Sequence, residues 1–472
     1  MLLCALLLTA AGRAASLQLP VGLQAPADAA RRPILLSAAS SQPVEGSDGR
    51  DTGSPTPPTA LLCATAALQS ACFGCIGTAL PPALRASGLA PAQVALTLGR
   101  LGSASALFEV LLSGWFGRLA DAFGRKPILL AAPAVTVVAR AMVVLNPTIP
   151  VMLGARLGTT LVVPIYWLAF QATCADCFGK NATALAVLGS KLQAAMGFGY
   201  ALASLVGGPL AQRDIRLAYA ASCTLGCCVI ACIAVGLRET LPANRRVPFR
   251  RKGGGSGPLA FTRLFRRGVL AAKLNLCVLL QSLTNGMGDM WQVMARELRG
   301  WGAAQCGRFA ALVGVSTMLG TLLTGPSLRR FGPRGHTVAA TSSSACASFI
   351  LGKATSNAVA IGAVVPVSFG AGKAQATSAR IVNHIGEELG VPQGQLAAER
   401  NALNAVIKVI APSLYAALFA FGVSRGTIGL PFFATGCLLM ASAAVAASIP
   451  DELWEQGGAD GDQQVPPAGK ES

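Results

Sequence analysis

The stretch GRLADAFGRKP, Gly117 to Pro127, decides how the rest of this chain is read. Arg118, Asp121, Arg125, Lys126 and two glycines are packed between two long apolar runs, Gln93 to Phe116 and Ile128 to Leu145. Each flank is long enough to cross a bilayer, since about 20 apolar residues at 1.5 Å rise span the hydrocarbon core. Charges in so short a connection are costly unless they sit in water at a membrane face. The segment therefore predicts a charged turn between two transmembrane helices.

The whole chain agrees with that reading. Its 472 residues are 53% hydrophobic and only 12% charged, with a mean hydropathy of +0.56, against about 25% charged in a soluble domain. A net charge of +18 would point to nucleic acid in a soluble protein. Here the basic residues fall in connections beside apolar windows, where they orient spans, so no nucleic-acid partner is expected. The 14 cysteines lie mostly inside apolar runs and act there as small hydrophobes. Cys72/Cys75 and Cys174/Cys177 have C-x-x-C spacing, but no accompanying His or second pair makes a metal site of either.

After residue 58 twelve windows satisfy the span requirement: 59–80, 93–116, 127–145, 149–170, 183–210 and 217–236, then 268–290, 304–325, 336–352, 355–378, 400–422 and 427–449. The expected fold is an all-α membrane protein with twelve transmembrane helices in two pseudo-symmetric six-helix bundles, residues 59–242 and 267–450. Between them lies a basic, Gly-rich linker, 243–266, within PANRRVPFRRKGGGSGPLAFTRLFRR. Basic residues concentrate on the side holding Arg125, Lys126, Arg245, Arg246, Arg250, Arg251, Arg329, Arg330 and Arg334, which places the linker and both termini in the cytoplasm. Residues 451–472 form a polar tail. Residues 1–58 are a targeting or disordered segment: MLLCALLLTAAGRAAS has the apolar core of a signal peptide without its basic n-region. An organelle presequence and an uncleaved leader both stand open, as do the plasma membrane and an organelle membrane such as the plastid envelope.

Gly117, Leu119, Asp121, Gly124, Arg125 and Lys126 reproduce a G-x-L-x-D-x-x-G-R-[KR] pattern, with Ala122 where Arg or Lys is usual. A degenerate copy follows in the second half as Gly325, Leu328, Arg329, Arg330, Phe331, Gly332, Pro333 and Arg334. The chain in this respect resembles the major facilitator superfamily, whose helices 2 and 3 are joined by this motif. Leu237 to Pro242 and the glycines at 197, 199, 207 and 208 with Pro209 resemble the helix 6 exit and the glycine-rich helix 5 of that superfamily, and the run Gln393-Gly394 to Pro412-Ser413-Leu414 resembles the helix 10–11 connection of its tetracycline-resistance-like drug/proton antiporter branch. Ser204 to Pro209 departs from that branch's G-P-x-x-G-G element, and Thr160 breaks the R-x-x-x-G pattern begun by Arg156. The resemblance implies a gating latch at the cytoplasmic face, formed by Gly117, Leu119, Asp121, Gly124, Arg125 and Lys126 with Gly325, Arg329, Arg330 and Gly332.

Ionisable side chains inside spans are costly and usually face a water-filled path. Gln281, Asn285 and Asp289 recur at i, i+4 and i+8, a single stripe on a helix; Asn401, Asn404 and Lys408 make a second. Lys373, Thr377 and Arg380 are further candidates, with Gln69, Glu109, Arg140 and Arg156 from the first half. Arg140, Asp289, Asn401 and Arg380 lie near predicted span ends, where snorkelling to the interface competes with a pathway role. Lys408 and Glu109 lie too deep for that, and a buried acid can carry a proton. The expected function is secondary transport of a small organic solute by alternating access with proton coupling; a transport-inactive receptor or scaffold is the alternative. Phosphate-loop and dinucleotide patterns fail at Gly372-Lys373 and Gly197-Phe198-Gly199, and His336 and His384 stand apart, so no enzyme, cofactor or metal is expected.

Overall fold

The computed structural model describes residues 59–178, 182–241, 246 and 260–455. The leader, most of the linker, the tail after residue 455 and Asn181, the acceptor position of an Asn-Ala-Thr glycosylation pattern, lie outside the described residues. Within them the chain is helical and has no strand.

We number the crossings α1 (Thr59–Ala86), α2 (Pro91–Phe123), α3 (Arg125–Leu145), α4 (Ile149–Phe178), α5 (Ala182–Arg213) and α6 (Ile215–Gly236). The second half has α7 (Val269–Leu283, resumed as Met290–Arg299), α8 (Ala303–Leu322), α9 (Thr324–Lys353), α10 (Asn357–Glu388), α11 (Gln393–Ser424) and α12 (Leu430–Ala447). Among the described residues nine helices are long and apolar enough to cross a membrane, and α8 with α9 makes a tenth as a pair bent by 66°. The nine fall on the first six and last three expected windows. The difference from twelve lies in the middle. There Gly286 and Gly288 interrupt α7 through a 3-10 turn at Thr284–Met287, and Leu323 alone separates α8 from α9, which is itself broken at Gly332.

The opening motif is not a loop. Nothing in Gly117–Phe123 breaks a helix, so α2 continues to Phe123, and Gly124 alone reverses the chain before α3 starts at Arg125. Gly124 takes φ 97°, ψ 165° and Gly332 takes φ 68°, ψ 171°. This is a region that only glycine occupies without strain of about 1–3 kcal/mol. The two halves thus turn at the same place by the same device. Gly124→Ala is expected to lower the thermal midpoint more than Gly332→Ala does. Both incur the backbone strain, but a Cβ at 124 would also sit 2.6 Å from Glu239 Oε2, whereas nothing lies within 4 Å at 332. Equal midpoints for the two variants would contradict this.

Packing follows one plan twice. In the first half α1 packs on α5 and α6, α3 on α4 and α6, and α2 on α4; in the second α7 packs on α12, α9 on α12, and α8 on α10. The halves meet through α2 against α11 and α5 against α8. Adding six to each number exchanges those two contacts, as a pseudo-two-fold requires. Glycine permits both: a Cβ on Gly99 would lie 2.4 Å from that of Ala416, and one on Gly307 would lie 2.4 Å from the Ser204 carbonyl oxygen.

Candidate functional site

Between the halves lies a cavity of about 1290 Å³, walled by α2, α4, α7, α10 and α11. Two ion pairs cross it. Lys408 Nζ on α11 donates to Glu109 Oε1 on α2 at 2.9 Å, and Arg156 Nη2 on α4 donates to Asp289 Oδ2 at the α7 break at 2.8 Å. Each pair joins one half to the other. Lys408 and Glu109 are 58% and 28% exposed, Arg156 and Asp289 36% and 30%, and all four line the open cavity. Pairs so hydrated contribute at most about 1 kcal/mol to stability. Their weight lies in which conformation they favour and in what a charged solute would have to displace.

The expected pathway residues divide. Glu109, Arg156, Asn285, Asp289, Asn401, Asn404 and Lys408 line the cavity. Gln69, Arg140, Gln281 and Lys373 are not on its wall. Gln69 is buried in α1, and Gln281 Nε2 donates to Thr341 Oγ1 at 3.3 Å and Ser442 Oγ at 3.2 Å, tying α7 to α9 and α12. Lys373 reaches back to the Gly370 carbonyl at 3.5 Å. The α7 stripe therefore dissolves: the break after Leu283 turns Asn285 and Asp289 toward the cavity and leaves Gln281 in the second half's core. Arg140 does not snorkel, being 1% exposed beneath the Phe73 ring. Arg380 is equally enclosed, bonded to Glu388 and to the Leu453 carbonyl. Arg156 holds Asp289 and makes no bond to Glu109.

The motif residues build an anchor around the start of α3. Arg125 Nη1 donates to Asp121 at 2.7 Å and Nε to Asp176 of α4 at 3.4 Å. The Glu239 carboxylate accepts from the backbone N–H groups of Arg125 at 2.9 Å and Lys126 at 3.1 Å, where the helix dipole favours an anion. Lys126 Nζ donates to the Ala234 carbonyl at the end of α6, at 2.9 Å. The degenerate copy keeps part of this plan: Arg334 donates to the Ala447 carbonyl at the end of α12, at 2.7 Å, and to Asp451 at 2.6 Å. Arg329 and Arg330 are exposed, and Gly325 meets nothing within 4 Å. Glu239 stood inside Leu237 to Pro242 without a role assigned, and Asp176 gave no sequence signal. The anchor joins α2, α3, α4 and α6 of one half, not the two halves.

The halves touch at the opposite end from this anchor. There Arg85 pairs with Glu297 at 3.0 Å, Gln292 Nε2 donates to the Gly77 carbonyl at 3.0 Å, and the Ala304 N–H donates to Gln212 Oε1 at 3.1 Å. At the basic end Arg125–Asp121, Arg267–Glu399 and Arg334–Asp451 each stay within one half. The cavity reaches Ala398 and Arg400 near the start of α11, toward that same end.

The Major Facilitator Superfamily matches residues 62–398, well over half of the chain. The chain belongs to that superfamily. A tetracycline resistance protein, class C, of Escherichia coli is 23% identical over 370 residues, covering 77% of this chain and 90% of that protein. The structure of the human organic anion transporter MFSD10 (TETRAN) superimposes with a TM-score of 0.60 at 18% identity, covering 83% of this chain and all (100%) of that one. A bacterial homologue of the human lysosomal transporter Spinster gives 0.62 at 16% identity, covering 86% and 98%. This superfamily member is thus a multi-pass membrane transporter and not an enzyme.

Proposed function

We propose that the protein moves a small organic solute carrying negative charge, by alternating access and coupled to protons. The observation that carries this reading is the pair of charge bridges, Glu109–Lys408 and Arg156–Asp289, spanning an open cavity between two halves. A bridge between bodies that rock apart must break and re-form in each cycle. Each has an acid that a proton can neutralise and a base that a carboxylate on the solute can claim instead. Three basic groups, Lys408, Arg156 and Arg400, face the cavity against two acids, Glu109 and Asp289, which favours an anionic cargo. The tetracycline resistance relative and the organic anion transporter support the drug-like and anionic ends of that class. The basic end with its anchor is the cytoplasmic one by the positive-inside rule, so the conformation described opens inward.

Proteoliposomes holding the purified protein test it. A panel of organic anions is offered with and without an imposed pH gradient. At least one is expected to accumulate above equilibrium only when the gradient is present, and its uptake is expected to collapse with a protonophore. Binding of solutes with neither net uptake nor counterflow would overturn the transport reading; uptake indifferent to the gradient would remove the proton.

A further inference from the structure

Behind the Arg156–Asp289 pair lies a second, smaller pocket, separate from the large cavity, bordered by Gly77, Arg140, Arg156, Thr159, Tyr219 and Asp289. Arg140 makes it unusual. Its side chain is 1% exposed in α3, and neither Nε nor Nη1 nor Nη2 has a hydrogen-bond partner. The Phe73 ring lies 5.3 Å from Cζ, and the Cys72 thiol beside it is a weak acceptor. Neither carries a charge. A guanidinium cannot deprotonate to escape its burial, and an enclosed ion without a counter-charge is strongly disfavoured. Arg140 and Arg156 against Asp289 leave the cluster one positive charge in excess.

We propose that this pocket is a binding site for a single halide ion, chloride in the cell, held by Arg140 and Arg156 with Tyr219 and Thr159 at its border. One monovalent anion makes the cluster neutral and supplies the acceptor that Arg140 lacks. The free space is small, about 10 Å³, room for about one water-sized group; a monatomic ion is the smallest kind of anion, and chloride enters it as the Arg140 and Arg156 side chains give way around it. The pocket is also a product of conformation. Asp289 comes from α7 of the second half, while Arg140, Arg156, Thr159 and Tyr219 belong to the first. The ion would then occupy a site complete only while the halves meet at this end, and chloride would favour that state.

The test uses the purified full-length protein at constant ionic strength, with chloride, bromide, acetate or gluconate as the anion. Chloride and bromide are expected to raise the unfolding midpoint saturably, and acetate and gluconate to leave it unchanged. Arg140→Lys is expected to weaken the chloride response by about tenfold or more, the loss of one charge-assisted hydrogen bond, and Arg140→Gln to abolish it. If Arg140→Gln does not fold, anomalous diffraction from bromide-grown wild-type crystals decides, with a peak expected between Arg140 and Arg156. No halide response, a response equal in acetate, or a response surviving in Arg140→Gln would overturn the site. Solute flux in gluconate medium keeps the two readings apart: transport without any halide response refutes the ion and leaves the carrier intact.

Discussion

Lys408→Ala is expected to reduce solute flux by about 10- to 100-fold while the protein still folds, inserts and unfolds at nearly the wild-type midpoint. The two halves of that expectation have different physical sources. Lys408 is 58% exposed to the cavity and Glu109 28%. Breaking so hydrated a pair therefore forfeits at most about 1 kcal/mol of stability. A solute carboxylate bound to Lys408 in place of Glu109 loses far more, because a hydrogen bond to a charged group is worth about 1.5–3 kcal/mol. Glu109→Gln separates the coupling from the binding. It keeps Lys408 and removes the proton site, so solute exchange is expected to persist while accumulation driven by a pH gradient disappears. The double variant completes a cycle: the 2.9 Å contact predicts that its flux defect falls well short of the product of the two single defects. Normal flux in Lys408→Ala, at normal abundance, would remove this pair from the pathway.

The crossings were legible because lipid leaves the chain little choice: a span must be long, apolar and helical. What broke the rule was local glycine chemistry. Gln281, Asn285 and Asp289 fit a helical stripe by spacing, yet Gly286 and Gly288 lie between them, Gly288 takes φ 36° and α7 parts there. The two glycines were the available sign that the period of 3.6 would not hold. On α11 no glycine intervenes, and Asn401, Asn404 and Lys408 stay on one face as their spacing predicts. Gly124 was read as part of a loop, although helix-compatible residues ran up to it on both sides. Ion-pair partners were out of reach for another reason. Glu109 lies 299 residues from Lys408 and Arg156 133 from Asp289, so only the docking of one half on the other brings them together. The deep candidates, Glu109 and Lys408, stood out because neither end of its span was within a side chain's reach. Arg140 misled because an arginine near a span end usually escapes, and here Phe73 and α6 close over it.

Gly307→Leu is expected to hold the carrier open at the end now closed. In the described conformation a Cβ at 307 would stand 2.4 Å from the Ser204 carbonyl oxygen and 3.0 Å from the Gly208 Cα, and one at 208 would stand 2.6 Å from the Ala303 carbonyl oxygen. These are backbone atoms of α5 and α8, so no rotamer change relieves the clash. Overfilling such a contact costs about 1–3 kcal/mol. Because the contact lies between the halves, rocking apart removes the strain without unfolding either. A bias of that size shifts a two-state equilibrium by about 5- to 150-fold. Cross-linking reads the shift: Arg85 and Glu297, which pair across the same end at 3.0 Å, are replaced by cysteines after exposed Cys227, Cys346 and Cys437 become serine. The cross-link is expected to form readily in the parent and to be largely lost with Gly307→Leu. Gly158→Ala serves as the control, since nothing lies within 4 Å of a Cβ there. An unchanged cross-linking rate in Gly307→Leu would mean that the α5–α8 contact does not govern closure at this end.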